Sequence, residues 1–111
     1  MAVSPTAGGV EPLLDLHPLP SRPGLRATGE ISLPTQAAWE AALESLVAQD
    51  DDVYLDLAGL TFIDVAGTRI LAHAAQRLTV PRRILLAQPP PSLRRALDMF
   101  WPDLETIEVT R

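Results

Sequence analysis

The sequence predicts an α/β fold: a mixed, largely parallel sheet of four to five strands with helices mainly on one face. Three observations carry this expectation. Strand-type runs alternate with runs whose apolar residues recur at helical spacing, and such alternation demands crossover connections and parallel neighbours. The first two strand-type runs are separated only by the turn signal Ser21-Arg22-Pro23-Gly24, which suits an antiparallel pair. Two of the inner strands keep polar residues at alternate positions, so one face of the sheet stays wet.

In chain order, residues 1–12 hold small residues, Gly and Pro, and are expected to form a disordered tail ahead of a single domain at 13–111. Leu13 to Leu19 can form an edge strand limited by Pro18 and Pro20. Leu25, Ala27, Gly29 and Ile31 alternate with Arg26, Thr28 and Glu30, a strand with one wet face. Ser32 or a neighbour can cap the first helix. Pro34 fits its first turn, where an N–H would have no partner anyway. Trp39, Ala42, Leu43, Leu46 and Val47 share one helical face, and Asp50-Asp51-Asp52 then turns the chain.

Val53, Leu55 and Leu57 alternate with Tyr54 and Asp56. The segment Ala58-Gly59-Leu60-Thr61 is expected to be a turn, with Phe62 and Ile63 as buried-type residues. Asp64 is an N-cap candidate for a helix with core positions Ile70, Leu71, Ala74, Ala75 and Leu78 and a wet stripe of Arg69, His73, Gln76 and Arg77. Pro81 ends that unit, and Ile84-Leu85-Leu86-Ala87 reads as a buried parallel strand. After Pro89-Pro90-Pro91, Ser92 is expected to cap a third helix with Leu93, Ala96, Leu97 and Phe100 on its inner face. Pro102 stops it, and Ile107 and Val109 mark a last strand.

Composition narrows the function. The chain has no cysteine, which excludes disulfides, thiolate catalysis and cysteine-type zinc sites. Its net charge of −5 argues against nucleic acid and against an anionic membrane surface as partner. No apolar run approaches the roughly 20 residues of a membrane span, and the start does not read as a signal peptide, so the cytoplasm is the expected location. No GxGxxG or P-loop spacing is present. His17 and His73 lie on different elements, and neither has a carboxylate or second His at ligand spacing. The three consecutive Asp lack the Gly and distal Glu of a calcium loop and read as a solvated turn. Asp64 and Glu30 could be imagined as an acid/base pair, but nothing in their spacing joins them. No catalytic residue, cofactor site or metal site is therefore expected, and the chain reads as a protein-binding domain and not an enzyme. Trp101 beside Phe100 is either an exposed anchor or packing at the helix end.

The stretch Val53-Tyr54-Leu55-Asp56-Leu57-Ala58-Gly59-Leu60-Thr61-Phe62-Ile63-Asp64-Val65-Ala66-Gly67 resembles the signature of STAS domains, the domains of bacterial anti-sigma factor antagonists and their relatives. Members typically read V-x-L-D-L-S-G-V-x-F-[IM]-D-S-[ST]-G. Gly29-Glu30-Ile31 is similar to the G-E-[LI]-D before the first long helix. Pro89-Pro90-Pro91-Ser92-Leu93-Arg94-Arg95-Ala96-Leu97 is similar to the P-x-x-x-R-x-L that opens the last one. The match runs from about Gly24 to Val109.

The resemblance implies a mixed sheet backed by helices. It also implies docking on an anti-sigma factor with a serine-kinase fold, through the corner formed by Asp64, Val65, Ala66, Thr68 and Arg69. In the family, the second hydroxyl residue of D-S-[ST]-G is phosphorylated by that kinase, which breaks the complex. Here that position is Ala66 and the residue before it is Val65, so the usual acceptor is degenerate and Thr68 is the remaining alternative. Asp-Val-Ala-Gly at the corner also looks like the C-terminal STAS modules of larger actinobacterial sensor proteins. Some STAS domains instead serve as accessory subunits that bind the ATPase of an ABC-type lipid transporter, the alternative reading. A small-ligand or nucleotide sensor ranks below both, because no phosphate-binding signature is present.

Overall fold

A computed structural model describes residues 13–110; the tail expected at residues 1–12 lies outside them. The elements are β1 (Leu14–Pro18), β2 (Gly24–Ile31), a 3-10 turn (Leu33–Thr35), α1 (Gln36–Val47), β3 (Val53–Ile63), α2 (Val65–Gln76), β4 (Ile84–Ala87), α3 (Pro91–Phe100) and β5 (Ile107–Thr110). The five strands form one sheet in the order β1-β2-β3-β4-β5. β1 and β2 pair antiparallel, with Leu16 opposite Ala27. The other three pairs are parallel. The mixed, largely parallel sheet expected from the alternation of elements is therefore present.

One core lies between the sheet and the helices. Leu25, Ala27 and Ile31 of β2 and Val53, Leu55 and Leu57 of β3 meet Trp39 and Leu43 of α1, Leu71 and Ala75 of α2, and Leu93 and Leu97 of α3. On the opposite face, Arg26, Thr28 and Glu30 are exposed, so the helices cover one side. Arg26 Nε donates to Asp56 Oδ2 at 3.0 Å there. The Asp56 carboxyl is held below its ordinary range, first by the hydrogen bond from the Ala58 N–H and then by Arg26.

Four expectations need correction. Residues Ala58 to Thr61 do not turn the chain: β3 runs unbroken from Val53 to Ile63. The physical device is a pair of bulges. Against β2 the register slips between Arg26 and Thr28 and again between Gly29 and Glu30, each time inserting one extra residue on β3. Buried positions therefore fall at 53, 55, 57, 60 and 63 instead of at every second residue. Phe62 consequently points out and is 48% exposed, against the expectation of burial. Ser92 does not cap α3. The cap is Pro90, and Pro91 opens the helix at a position whose N–H would have no partner. Phe100 is 59% exposed instead of sharing the inner face, while Trp101 packs against the core and meets the Phe100 ring edge-on at 6.0 Å.

The first helix is prefaced by the 3-10 turn, whose entry is tied by Ser32 N–H donating to Thr35 Oγ1 at 2.9 Å. The triple-Asp turn is fastened to the start of β4: Asp52 accepts from Arg83 N–H at 2.9 Å, and Arg82 reaches the Asp51 carbonyl.

Candidate functional site

The corner between β3 and α2 is assembled from four elements, β2, β3, α1 and α2. The Asp64 N–H donates to the Ile31 carbonyl at 3.0 Å, so the ends of β2 and β3 remain joined as α2 begins. Asp64 is extended and caps α2, its Oδ1 accepting from Gly67 N–H at 2.7 Å. Asp64 is thus the N-cap that the sequence offers as a candidate. Fully buried Trp39 then ties α1 to the same turn, its indole Nε1 donating to the Gly67 carbonyl at 3.0 Å.

Gly67 is required here by space. A Cβ at that position would stand 2.6 Å from Ile31 Cγ2 and 3.0 Å from Ile63 Cγ1. The first turn of α2 can thus approach the sheet end only because residue 67 has no side chain. Gly29 serves the neighbouring strand in a different way: its φ is +111, and a Cβ there would meet the Leu13 carbonyl oxygen at 2.2 Å.

The corner sorts the expected docking residues into two groups. Val65 is 59% exposed, Arg69 is exposed one turn further along the same side of α2, and Asp64 and Ala66 are half-buried between. Thr68 does not join them. It is 2% exposed and its hydroxyl donates to the Asp64 carbonyl at 3.0 Å, so it belongs to the packing beneath the corner. The folded chain gives Thr68 no accessible hydroxyl to present as an alternative acceptor. Two residues outside the expected docking set complete the surface. Leu33 is 78% exposed and Phe62 48% exposed, at the carboxyl ends of the adjacent parallel strands β2 and β3. Leu33 follows Ile31 by two residues as Val65 follows Ile63, and Ile31 and Ile63 are register partners. The result is an apolar rim of Leu33, Phe62 and Val65 with Arg69 beside it.

The remaining candidates disperse. Glu30 and Asp64 share no hydrogen bond or ion pair among the described residues. His17 does find a carboxylate, Asp15 Oδ1 at 3.0 Å, two positions earlier on β1, but both side chains are exposed. No group of three metal-type ligands occurs among the described residues. His73 is exposed on the outer side of α2. Among the described residues, no helix is long and apolar enough to cross a membrane.

This fold, among the described residues five strands with three helices on one side and a glycine-cradled corner after the third strand, is that of a STAS-like domain. The family model described as "Mlab, STAS domain" matches residues 17–101, so the chain belongs to the STAS domain family. Among solved structures it is similar to an anti-sigma factor antagonist from Mycobacterium paratuberculosis, with a TM-score of 0.71, 22% identity, and coverage of 86% of this chain and 84% of that one. It is also similar to the anti-sigma factor antagonist SpoIIAA in its unphosphorylated form, with a TM-score of 0.60, 19% identity, and coverage of 78% and 82%. A comparison with curated proteins gives no match.

Proposed function

We propose that the chain is a protein-binding regulator of the anti-sigma factor antagonist type, which docks on an anti-sigma factor of serine-kinase fold through the β3–α2 corner. The observation that carries this reading is the exposed rim of Leu33, Phe62 and Val65 around Ala66, flanked by Arg69. Isolated exposed apolar residues are ordinary, but several at the ends of adjacent strands make a surface suited to a protein partner. Arg69 adds a fork of donors that suits a carboxylate on that partner.

The same corner lacks the family's switch. A phosphate on the second residue of the helix would meet free N–H groups and the helix dipole, and would place about −1.5 to −2 charges on the docking surface. Ala66 offers no hydroxyl for that chemistry, and the buried Thr68 hydroxyl is committed to the Asp64 carbonyl. The complex is therefore one that the kinase activity of its partner does not dissolve.

A corner with nothing to phosphorylate also fits a permanent accessory subunit, the second reading, in which the partner is the ATPase of an ABC-type lipid transporter. Pull-down with each candidate partner separates the two. Under the first reading the anti-sigma factor is retained, and Ala66→Glu or Arg69→Glu releases it. Retention undiminished by both substitutions rules out the corner as the docking surface.

A further inference from the structure

The far edge of the sheet presents a second, independent surface. Among the described residues β5 is the last strand, with only β4 beside it. Ile84 N–H donates to the Thr106 carbonyl at 2.7 Å, and Ile84 is the register partner of Ile107. In a parallel ladder this leaves Thr106 and Glu108 turned toward β4, while the backbone groups of Ile107 and Val109 point away from the sheet. Among the described residues nothing pairs with them.

The two edges are treated differently. β1 ends on Pro18 and carries the exposed Asp15–His17 pair, devices that discourage another strand. β5 reads Ile107-Glu108-Val109-Thr110, with three β-branched residues and no proline. Glu108 is bonded to Arg83 across the open face of the sheet.

A groove of about 250 Å³ runs beside this edge, between β5 and α3. Its apolar lining includes Leu97, Trp101, Leu104, Ile107 and Val109, the last 40% exposed. Its α3 wall also carries Arg94 and Asp98, one helical turn apart, and neither forms an ion pair among the described residues.

We propose that this edge is the interface of a homodimer, in which β5 pairs antiparallel with β5 of a second copy and continues the sheet. The occupant is a second copy because the charges on the groove are self-complementary. A two-fold axis through the paired strands runs the two α3 helices antiparallel along the junction. Arg94 of one copy then faces Asp98 of the other, twice over, as an isologous interface requires. Val109 and Ile107 fill the groove floor from both sides, and their outward N–H and carbonyl groups pair across the axis.

The test is sedimentation velocity of the full chain from micromolar up to roughly 1 mM, where even a weak association is populated. The expected result is a reversible species of twice the 12.0 kDa chain mass. Val109→Pro removes an outward N–H, and Val109→Lys places a charge in the groove. Each should weaken dimerisation at least about 10-fold, the factor that 1.4 kcal/mol represents. Arg94→Asp sets like charges against each other and should do the same, while Arg94→Asp combined with Asp98→Arg restores the dimer. Circular dichroism confirms that each variant is folded; Arg94→Asp and Val109→Lys serve the test if Val109→Pro is not. A chain that stays monomeric to roughly 1 mM overturns the proposal. So does a dimer indifferent to Val109→Lys and Arg94→Asp, or an edge that takes an unrelated extended peptide while the chain remains monomeric.

Discussion

Adding one methyl group at Gly67 sets two known effects against each other. Alanine in place of glycine inside a helix gains about 1 kcal/mol from propensity. Against this, the new Cβ would stand 2.6 Å from Ile31 Cγ2, on a side chain with no solvent exposure. Ile31 is β-branched and stiff at χ1, so it cannot swing aside without disturbing the sheet end. Overpacking of this kind typically costs about 1–3 kcal/mol, and strain on the Asp64 cap 3.2 Å away adds to it. Clash outweighs propensity, and Gly67→Ala should destabilise the fold by about 1–2 kcal/mol. Urea unfolding followed by Trp39 and Trp101 fluorescence gives the free energy directly, and a thermal midpoint lower by about 4–8 °C per kcal/mol should accompany it. The origin of the cost is separable. In an Ile31→Ala background the obstructing methyl is gone, so Gly67→Ala should lose its penalty there and turn neutral or stabilising. A Gly67→Ala chain more stable than the wild type would refute the cradle, because propensity alone would then decide the outcome.

Three further outcomes follow from the same geometry. Trp39→Phe removes the indole bond to the Gly67 carbonyl and leaves a void, and should cost about 1–2 kcal/mol in the same urea assay. Asp64→Ala removes the cap of α2 and should cost about 1 kcal/mol. For Asp56 the folded carboxyl titrates below its ordinary value, because of the Ala58 N–H first and Arg26 second. Its contribution to stability is therefore complete above the unfolded value near pH ~4 and is lost as pH falls through the lower folded value. Urea midpoints measured between about pH 6 and pH 2 should fall less steeply for Asp56→Asn than for the wild type.

The fold was legible because binary patterning and turn chemistry agree over most of the chain. Leu25 to Ile31, the Trp39–Val47 stripe and the Ile84–Ala87 run all behave as their periodicities require. The reading failed where local geometry breaks a simple period. Ala58-Gly59-Leu60-Thr61 has the composition of a turn, yet two bulges let β3 pass through it. The signal was available in the apolar spacing at Leu57, Leu60 and Ile63, which is three and not two. The same slips put Phe62 outside, so the apolar rim of the corner was hidden from a period-two reading. The burial of Thr68 was not legible for a different reason: helix position alone does not tell which side of the first turn faces the core. Asp64 was readable as the cap because its short carboxylate performs a backbone task that few other residues can, whereas the close approach that requires Gly67 shows only in the folded chain.

The central claim, that the Ala66 corner docks a partner and carries no phosphorylation switch, is tested most directly by isothermal titration of the candidate serine-kinase anti-sigma factor with the wild-type chain, before and after incubation with ATP. The account predicts the same affinity in both conditions, lost in Ala66→Glu and made ATP-sensitive in Ala66→Ser. A wild-type chain that takes up phosphate and leaves its partner, or an Ala66→Glu chain that binds as tightly as wild type, would contradict it.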